Sequence, residues 1–168
     1  MTRFLSICIL MFWGFGSAYA QPETKTLVRG ADERYSYEKV FDAPGYTKDQ
    51  IFESLKTWVI RNVKSQSNTN YFDEKDKNSI STVPVFPCVY NSIIEFKLVI
   101  DIKDGKYLLS ATSFMYHNPG LGFTKELGDY HQAGMTKKAK REVIIDADES
   151  FAKILTSIQS SVGKKKDW

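Results

Sequence analysis

Cys8, Cys88, His117 and His131 are the only cysteines and histidines in the sequence. Cys8 sits inside an apolar run near the start, so Cys88 is the one thiol placed to do chemistry. A thiol nucleophile needs a base within hydrogen-bond reach, which would make Cys88 with His117 or His131 the centre of a hydrolase. Nothing in their spacing fixes that proximity, and a lone cysteine is more often a small buried apolar side chain. Glu126, Asp129 and His131 are metal-ligating types, but a zinc site asks for a second imidazole or thiolate at fixed spacing. No metal and no cofactor is therefore assigned. Asp146 and Asp148 form a carboxylate pair that fits the capping of a following helix better than acid–base catalysis. Lys137, Lys138, Lys140 and Arg141 make a basic run that could meet anionic lipid headgroups weakly or simply face water. There is no phosphate-cradling glycine loop, no G-x-S-x-G elbow and no H-E-x-x-H pair. These residues point to no reaction, and the expectation is a protein that is not an enzyme.

Those side chains are carried by a chain of 168 residues with 23 Lys plus Arg against 20 Asp plus Glu. Such a chain makes one ordinary domain and buries enough surface to fold without metal or disulfide. A net charge of +3 is too small for the electrostatic footprint of a nucleic-acid binder.

The first twenty residues read as an address. Arg3 precedes an apolar run from Phe4 to Phe15, and small residues follow, ending in Ala18-Tyr19-Ala20. This is the three-part pattern of a secretory signal peptide with an A-x-A cleavage site. The run is shorter than the roughly 20 residues a spanning helix needs. Cleavage after Ala20 starts the mature chain at Gln21, with Cys88 alone remaining and no transmembrane segment. The expected location is the periplasm or outside the cell. The expected organisation is a signal peptide (1–20), a flexible leader (21–33), a single domain (34–163) and a basic tail (164–168).

Within the domain, Tyr35–Phe41 has strand composition and Ala43-Pro44-Gly45 breaks it. Thr47 to Val63 predicts a helix, with Thr47 and Gln50 as a capping box and a stripe of Ile51, Leu55, Trp58, Val59 and Val63. Tyr71–Lys75 and Ser79–Val89 are weaker strands, the second confined to an edge or bulged by Pro84 and Pro87. Ile93–Ile102 and Lys106–Tyr116 are stronger strands, joined by the hairpin signal Asp104-Gly105. Residues 117–141 read as a long glycine-containing loop, with a short helix over 129–141 as the alternative. Asp146 to Val162 predicts a second helix with a stripe of Phe151, Ile154, Leu155, Ile158 and Val162.

The hairpin nominates a surface. A two-residue turn fixes the register, so alternation puts Ile94, Phe96, Leu98, Ile100, Ile102, Tyr107, Leu109, Ala111 and Met115 on the side that receives the helix stripes. The other side then holds Ile93, Val99, Leu108, Phe114 and Tyr116, more apolar than a solvated face requires. A contiguous apolar patch of that kind marks a partner or ligand site, unless the leader or residues 117–141 fold over it.

Lys39-Val40-Phe41-Asp42-Ala43-Pro44-Gly45, then Lys48-Asp49-Gln50-Ile51-Phe52, Leu55-Lys56-Thr57-Trp58 and Ile102-Lys103-Asp104-Gly105-Lys106-Tyr107 follow one another in order. With the final Lys166-Asp167-Trp168, this resembles an exported bacterial family of unknown function with a fold like that of the TATA-box-binding protein. The resemblance covers about residues 35 to 116. It implies an α+β fold: a curved antiparallel sheet with two helices on one face, in the order strand–helix–four strands–helix, and no catalytic residues. The leading expectation is a binding module of the cell envelope that meets a partner, an envelope protein, or a ligand through the open sheet face. The alternatives are a carrier holding an apolar small molecule between sheet and helices, and a hydrolase using Cys88 or His131. Fold likeness alone does not license DNA binding.

Overall fold

The computed structural model describes residues 24–63, 70–73, 75–129 and 135–162. The expected signal peptide with Ala18 and Ala20, the candidate ligand His131 and the basic tail lie outside the described residues. The chain runs β1 (Val28–Arg29), β2 (Tyr35–Asp42), α1 (Lys48–Asn62), β3 (Tyr71–Phe72), β4 (Ser79–Thr82), β5 (Val85–Cys88), β6 (Ser92–Lys103), β7 (Lys106–Asn118), β8 (Phe123–Glu126) and α2 (Lys137–Val162). The strands form one antiparallel sheet in the order β1-β2-β7-β6-β4-β3, with β5 on β6 and β8 on β7. This is the expected α+β class, with both helices contributing to one core.

Asp104-Gly105 makes the turn between β6 and β7, with Gly105 at φ +71°. It also seats α1. Asp104 Oδ1 accepts from the Lys48 amide at 2.7 Å, and Gly105 donates to the Tyr46 carbonyl at 3.0 Å. The capping box forms as expected: the Gln50 amide donates to Thr47 Oγ1 and the Thr47 amide to Gln50 Oε1. Two of the amides orphaned at the helix start are thereby satisfied. Ile51, Phe52, Leu55, Trp58 and Val59 are buried on the sheet.

From the turn, Lys103↔Lys106 to Lys97↔Thr112 pair as the hairpin dictates. Ser113 then adopts φ +55° and the register shifts by one between Glu95 and Lys97. This is a β-bulge, which turns the rest of its strand over. Beyond it Glu95 faces Met115 and Ile93 faces His117. An unbroken register would have set Glu95 opposite Phe114 and Ile93 opposite Tyr116, so the expected placement of Phe114 and Tyr116 on the open face is wrong. Both are fully buried. Met115, expected in the core, is half-exposed on the other side. Phe114 stacks on Phe96 at 5.0 Å between ring centroids, and both meet the edge of Phe151 from α2 at 5.4 Å. A left-handed serine costs about 1–2 kcal/mol. Burying a phenylalanine returns about 1.5–3 kcal/mol, so the bulge is favourable overall.

α2 starts nine residues before the expected position. Thr136 caps it, accepting from the Ala139 amide at 3.2 Å. Asp146 and Asp148, expected as caps, lie inside the helix. Asp148 is buried, and its carboxylate accepts from the amides of Lys25, Thr26 and Leu27 at 2.8, 3.0 and 2.6 Å. Asp146 accepts from the Val89 amide at 3.1 Å. The expected flexible leader is accordingly corrected over residues 24–33: Leu27 is in the core and β1 pairs with β2. The expected long loop is corrected too. Residues 123–126 are β8, which widens the sheet beside β7 rather than folding over its face. Ser79–Val89 is two short strands, and among the described residues β5 pairs only with β6, so Pro87 stands on an edge as its missing donor requires.

The bulge makes a sharp pair of predictions. Phe114→Asp should cost at least about 4 kcal/mol in urea unfolding, because it places a carboxylate in an aromatic core. Met115→Lys, its neighbour in sequence, should cost about 1 kcal/mol or less. The order would reverse if the hairpin register ran unbroken.

Candidate binding face

The face opposite the helices is built by alternate residues of β2, β7, β6 and β4. Cross-strand pairing lays them in rows. One row runs Val40, Leu108, Asp101, Ser79; the next runs Glu38, Ser110, Val99, Ser81, with Tyr71 beyond. Val40 is 54% exposed and Tyr71 60%, while Val99 and Leu108 are half-buried by their neighbours. Leu108 lies beside Val40 and diagonal to Val99, so these three form a continuous apolar stripe. Diagonal neighbours are about 7–8 Å apart, within reach of one partner side chain.

Of the five residues expected here, Val99 and Leu108 come together. Ile93 is on the same face but six residues along β6 from Val99, roughly 20 Å at strand rise, and Glu95 and Lys97 stand between them. Phe114 and Tyr116 belong to the core. Tyr116 accepts a hydrogen bond at its hydroxyl from the buried Asn118 amide at 3.1 Å and packs on Phe123. Val40 and Tyr71 were missed. Val40 is legible as the neighbour of an inward Phe41, but only the pairing of β2 with β7 brings it to Leu108. The charges around the stripe are mixed: Glu38, Asp42 and Asp101 against Lys97, Lys103 and Lys106.

The pairing of Cys88 with His117 loses its geometry. Cys88 pairs with Ser92 and points into the core, whereas His117 pairs with Ile93 and points to the open side, so the sheet separates them. The Cys88 thiol lies 3.9 Å from the Val143 carbonyl; burial, reinforced by Asp146, pushes its pKa up to about 12. It is a neutral core side chain at physiological pH, not a thiolate. His117 Nδ1 is bonded to Thr124 Oγ1 at 2.9 Å, and its Nε2 is shut away from solvent. Of the three residues of metal-ligating type, Glu126 is paired with Arg34 at 3.3 Å, and no metal-holding cluster forms among the described residues. The carrier alternative needs space between sheet and helices, and Phe52, Phe96, Phe114 and Phe151 fill it. An open groove of about 800 Å³ lies instead between the outer sides of the helices, lined by Asp49, Glu53, Trp58, Arg61, Ser157 and Ser160 among others. Its hydroxyls are tied down: Ser160 donates to the Thr156 carbonyl, and Ser157 accepts from the Trp58 indole at 2.9 Å. No described helix is long and apolar enough to cross a membrane.

A strand leading to Pro44-Gly45, a capped helix and a hairpin at Asp104-Gly105 are thus assembled in the arrangement that the sequence resemblance implies. Residues 37–117 match the domain of unknown function DUF4468 with TBP-like fold. The family resemblance holds. The structure is also similar to the crystal structure of a TBP-like protein from Parabacteroides distasonis, with a TM-score of 0.65, 14% identity and coverage of 82% of this chain and 97% of that one. A DUF4468 family protein from Bacteroides ovatus gives a TM-score of 0.63, 12% identity and coverage of 84% and 93%. At such identities the likeness is one of fold. No curated protein matches the chain. The family description assigns no activity.

The state of Cys88 can be read by alkylation. Iodoacetamide at pH 8 should label it only after unfolding, as checked by mass spectrometry with and without urea. The linkage has a definite sign: the folded pKa of about 12 lies above the ordinary 9.0, so above pH 9 the unfolded chain loses its proton first. The contribution of Cys88 to stability should therefore fall as pH rises from about 9 to about 12, and Cys88→Ala should remove that part of the slope.

Proposed function

We propose that the chain is an exported module of the cell envelope, without catalytic activity, that binds a partner protein through the open face of its sheet. The observation that carries this reading is the Val40–Leu108–Val99 stripe, which remains apolar on the side away from both helices. Apolar side chains arranged contiguously on a face that folding does not use favour association. The mixed charge around the stripe suits a protein surface with its own complementary charges better than a phosphate backbone, which asks for a cationic track. Export rests on the leader pattern of Arg3, Phe4 to Phe15 and Ala18-Tyr19-Ala20. The separation of Cys88 from His117 and the filled core favour binding over hydrolysis or ligand carriage.

The test is a pair of substitutions on the stripe. Val99→Lys/Leu108→Lys should unfold within about 1 kcal/mol of the wild type, since both side chains are only half-buried. It should lose at least about tenfold in recovery of a partner identified by cross-linking and mass spectrometry from envelope fractions, a loss worth about 1.4 kcal/mol. Recovery of the same partners in the same amounts would end this reading.

A further inference from the structure

One end of the molecule carries features that neither the core nor the open face accounts for. Four of the first five residues of α2 are cationic: Lys137, Lys138, Lys140 and Arg141. The first turn holds no carboxylate, and the acids Glu142, Asp146, Asp148 and Glu149 follow further along. This order is the reverse of what a helix dipole favours, since positive charge is stabilising at the C-terminus and unfavourable at the N-terminus. The arrangement does not serve the stability of the helix.

The neighbours of this turn are fixed by contacts. Tyr90 hydrogen-bonds through its hydroxyl to Glu142, and the Val89 amide donates to Asp146. The start of α2 therefore stands beside the β5–β6 turn. The pairings Ile93↔His117 and Asn118↔Phe123 bring the β7–β8 turn to the same end of the sheet. Each turn presents one large apolar side chain to solvent, Tyr90 at 50% and Leu121 at 63% exposure. Tyr90 and Asn91 have φ +61° and +52°, a conformation that glycine and asparagine adopt cheaply and an aromatic residue does not. Among the described residues, Glu142 stands 3.9 Å from Lys138.

We infer that this end docks onto an anionic lipid bilayer. Lys138, Lys140 and Arg141, with Lys137, meet lipid phosphates. The amphipathic Tyr90 sits at headgroup level, as tyrosines do at membrane interfaces, and Leu121 enters the acyl boundary. Two apolar tips on separate turns suit a deformable layer, whereas a folded protein partner is met by a contiguous apolar centre. A soluble polyanion would use the cations and leave Leu121 without a role. The inference is independent of the open sheet face.

The test is co-sedimentation of the full chain with phosphatidylcholine vesicles, with or without about one-third phosphatidylglycerol, at low salt. The wild type should partition far more strongly onto the anionic vesicles than onto the neutral ones, and lose that excess as salt shortens the screening length. Lys137→Gln/Lys138→Gln/Lys140→Gln/Arg141→Gln should weaken partitioning at least roughly twentyfold, since each charge near the surface is worth about fivefold. Tyr90→Asn/Leu121→Asn, in which asparagine suits the left-handed position, should weaken it severalfold. Urea midpoints check that each variant is folded. If the fourfold variant does not fold, Lys138→Gln/Arg141→Gln alone should lose at least about fivefold. The apolar run at Phe4 to Phe15 is common to all variants and cancels between them. Equal partition onto neutral and anionic vesicles would overturn the inference. So would a folded charge variant that binds as the wild type does. If the charge variant is lost while the Tyr90/Leu121 variant binds fully, the surface holds anions by charge alone, and docking with the two apolar tips in the bilayer is overturned.

Discussion

Stacking of Phe96 on Phe114, with the edge of Phe151 against both, joins the two central strands to the long helix. Phe114 reaches that position only because Ser113 takes a left-handed conformation and turns the end of β7 over. Without the bulge, Phe114 and Tyr116 would face water and Met115 would sit under α2. The side on which the protein keeps its apolar residues, and the side left to meet other molecules, both follow from this one backbone dihedral. The cost of the strained serine is spread over two aromatic side chains buried beyond it, so the bulge persists at a net gain.

The same residue marks where the sequence stops being legible. Asp104-Gly105 sets a register that holds from the turn to Lys97↔Thr112, because a two-residue loop leaves the strands no other pairing. Nothing local announces that Ser113 will bulge. Serine is not a residue that demands a positive φ, and the preference is imposed by Phe151, far away in the chain. The capping box at Thr47 and Gln50 is legible for the opposite reason, since both partners lie within one helical turn. The start of α2 is obscured because its first turns, Lys137 to Glu142, carry no apolar stripe, while Asp146 and Asp148 imitate caps. Their carboxylates instead satisfy backbone amides of segments distant in sequence. Of the candidate face, Val99 and Leu108 were readable from alternation along β6 and β7. Val40 was not, since strand order decides its neighbours.

Both structural relatives share the architecture at identities where few side chains correspond. What such a comparison transfers is the division of labour between the two sides of the sheet: one committed to two helices, the other free of that duty. The chemistry-bearing side chains of this chain follow the same division. Cys88 is turned inward and neutral, His117 lies across the sheet from it, and Glu126 is engaged by an arginine. The distinguishing surface features lie where packing makes no demands, on the open face and at the end beside the start of α2.

Asp148 ties the beginning of the described chain to its last helix, across a separation of more than 120 residues. The amides of Lys25, Thr26 and Leu27 have no partner until that carboxylate has been made and its helix has docked. Contacts of such long range form late, after the loop between them has been closed. This segment, made long before the helix that holds it, is therefore among the last to settle, and its attachment requires a domain whose helix is already in place.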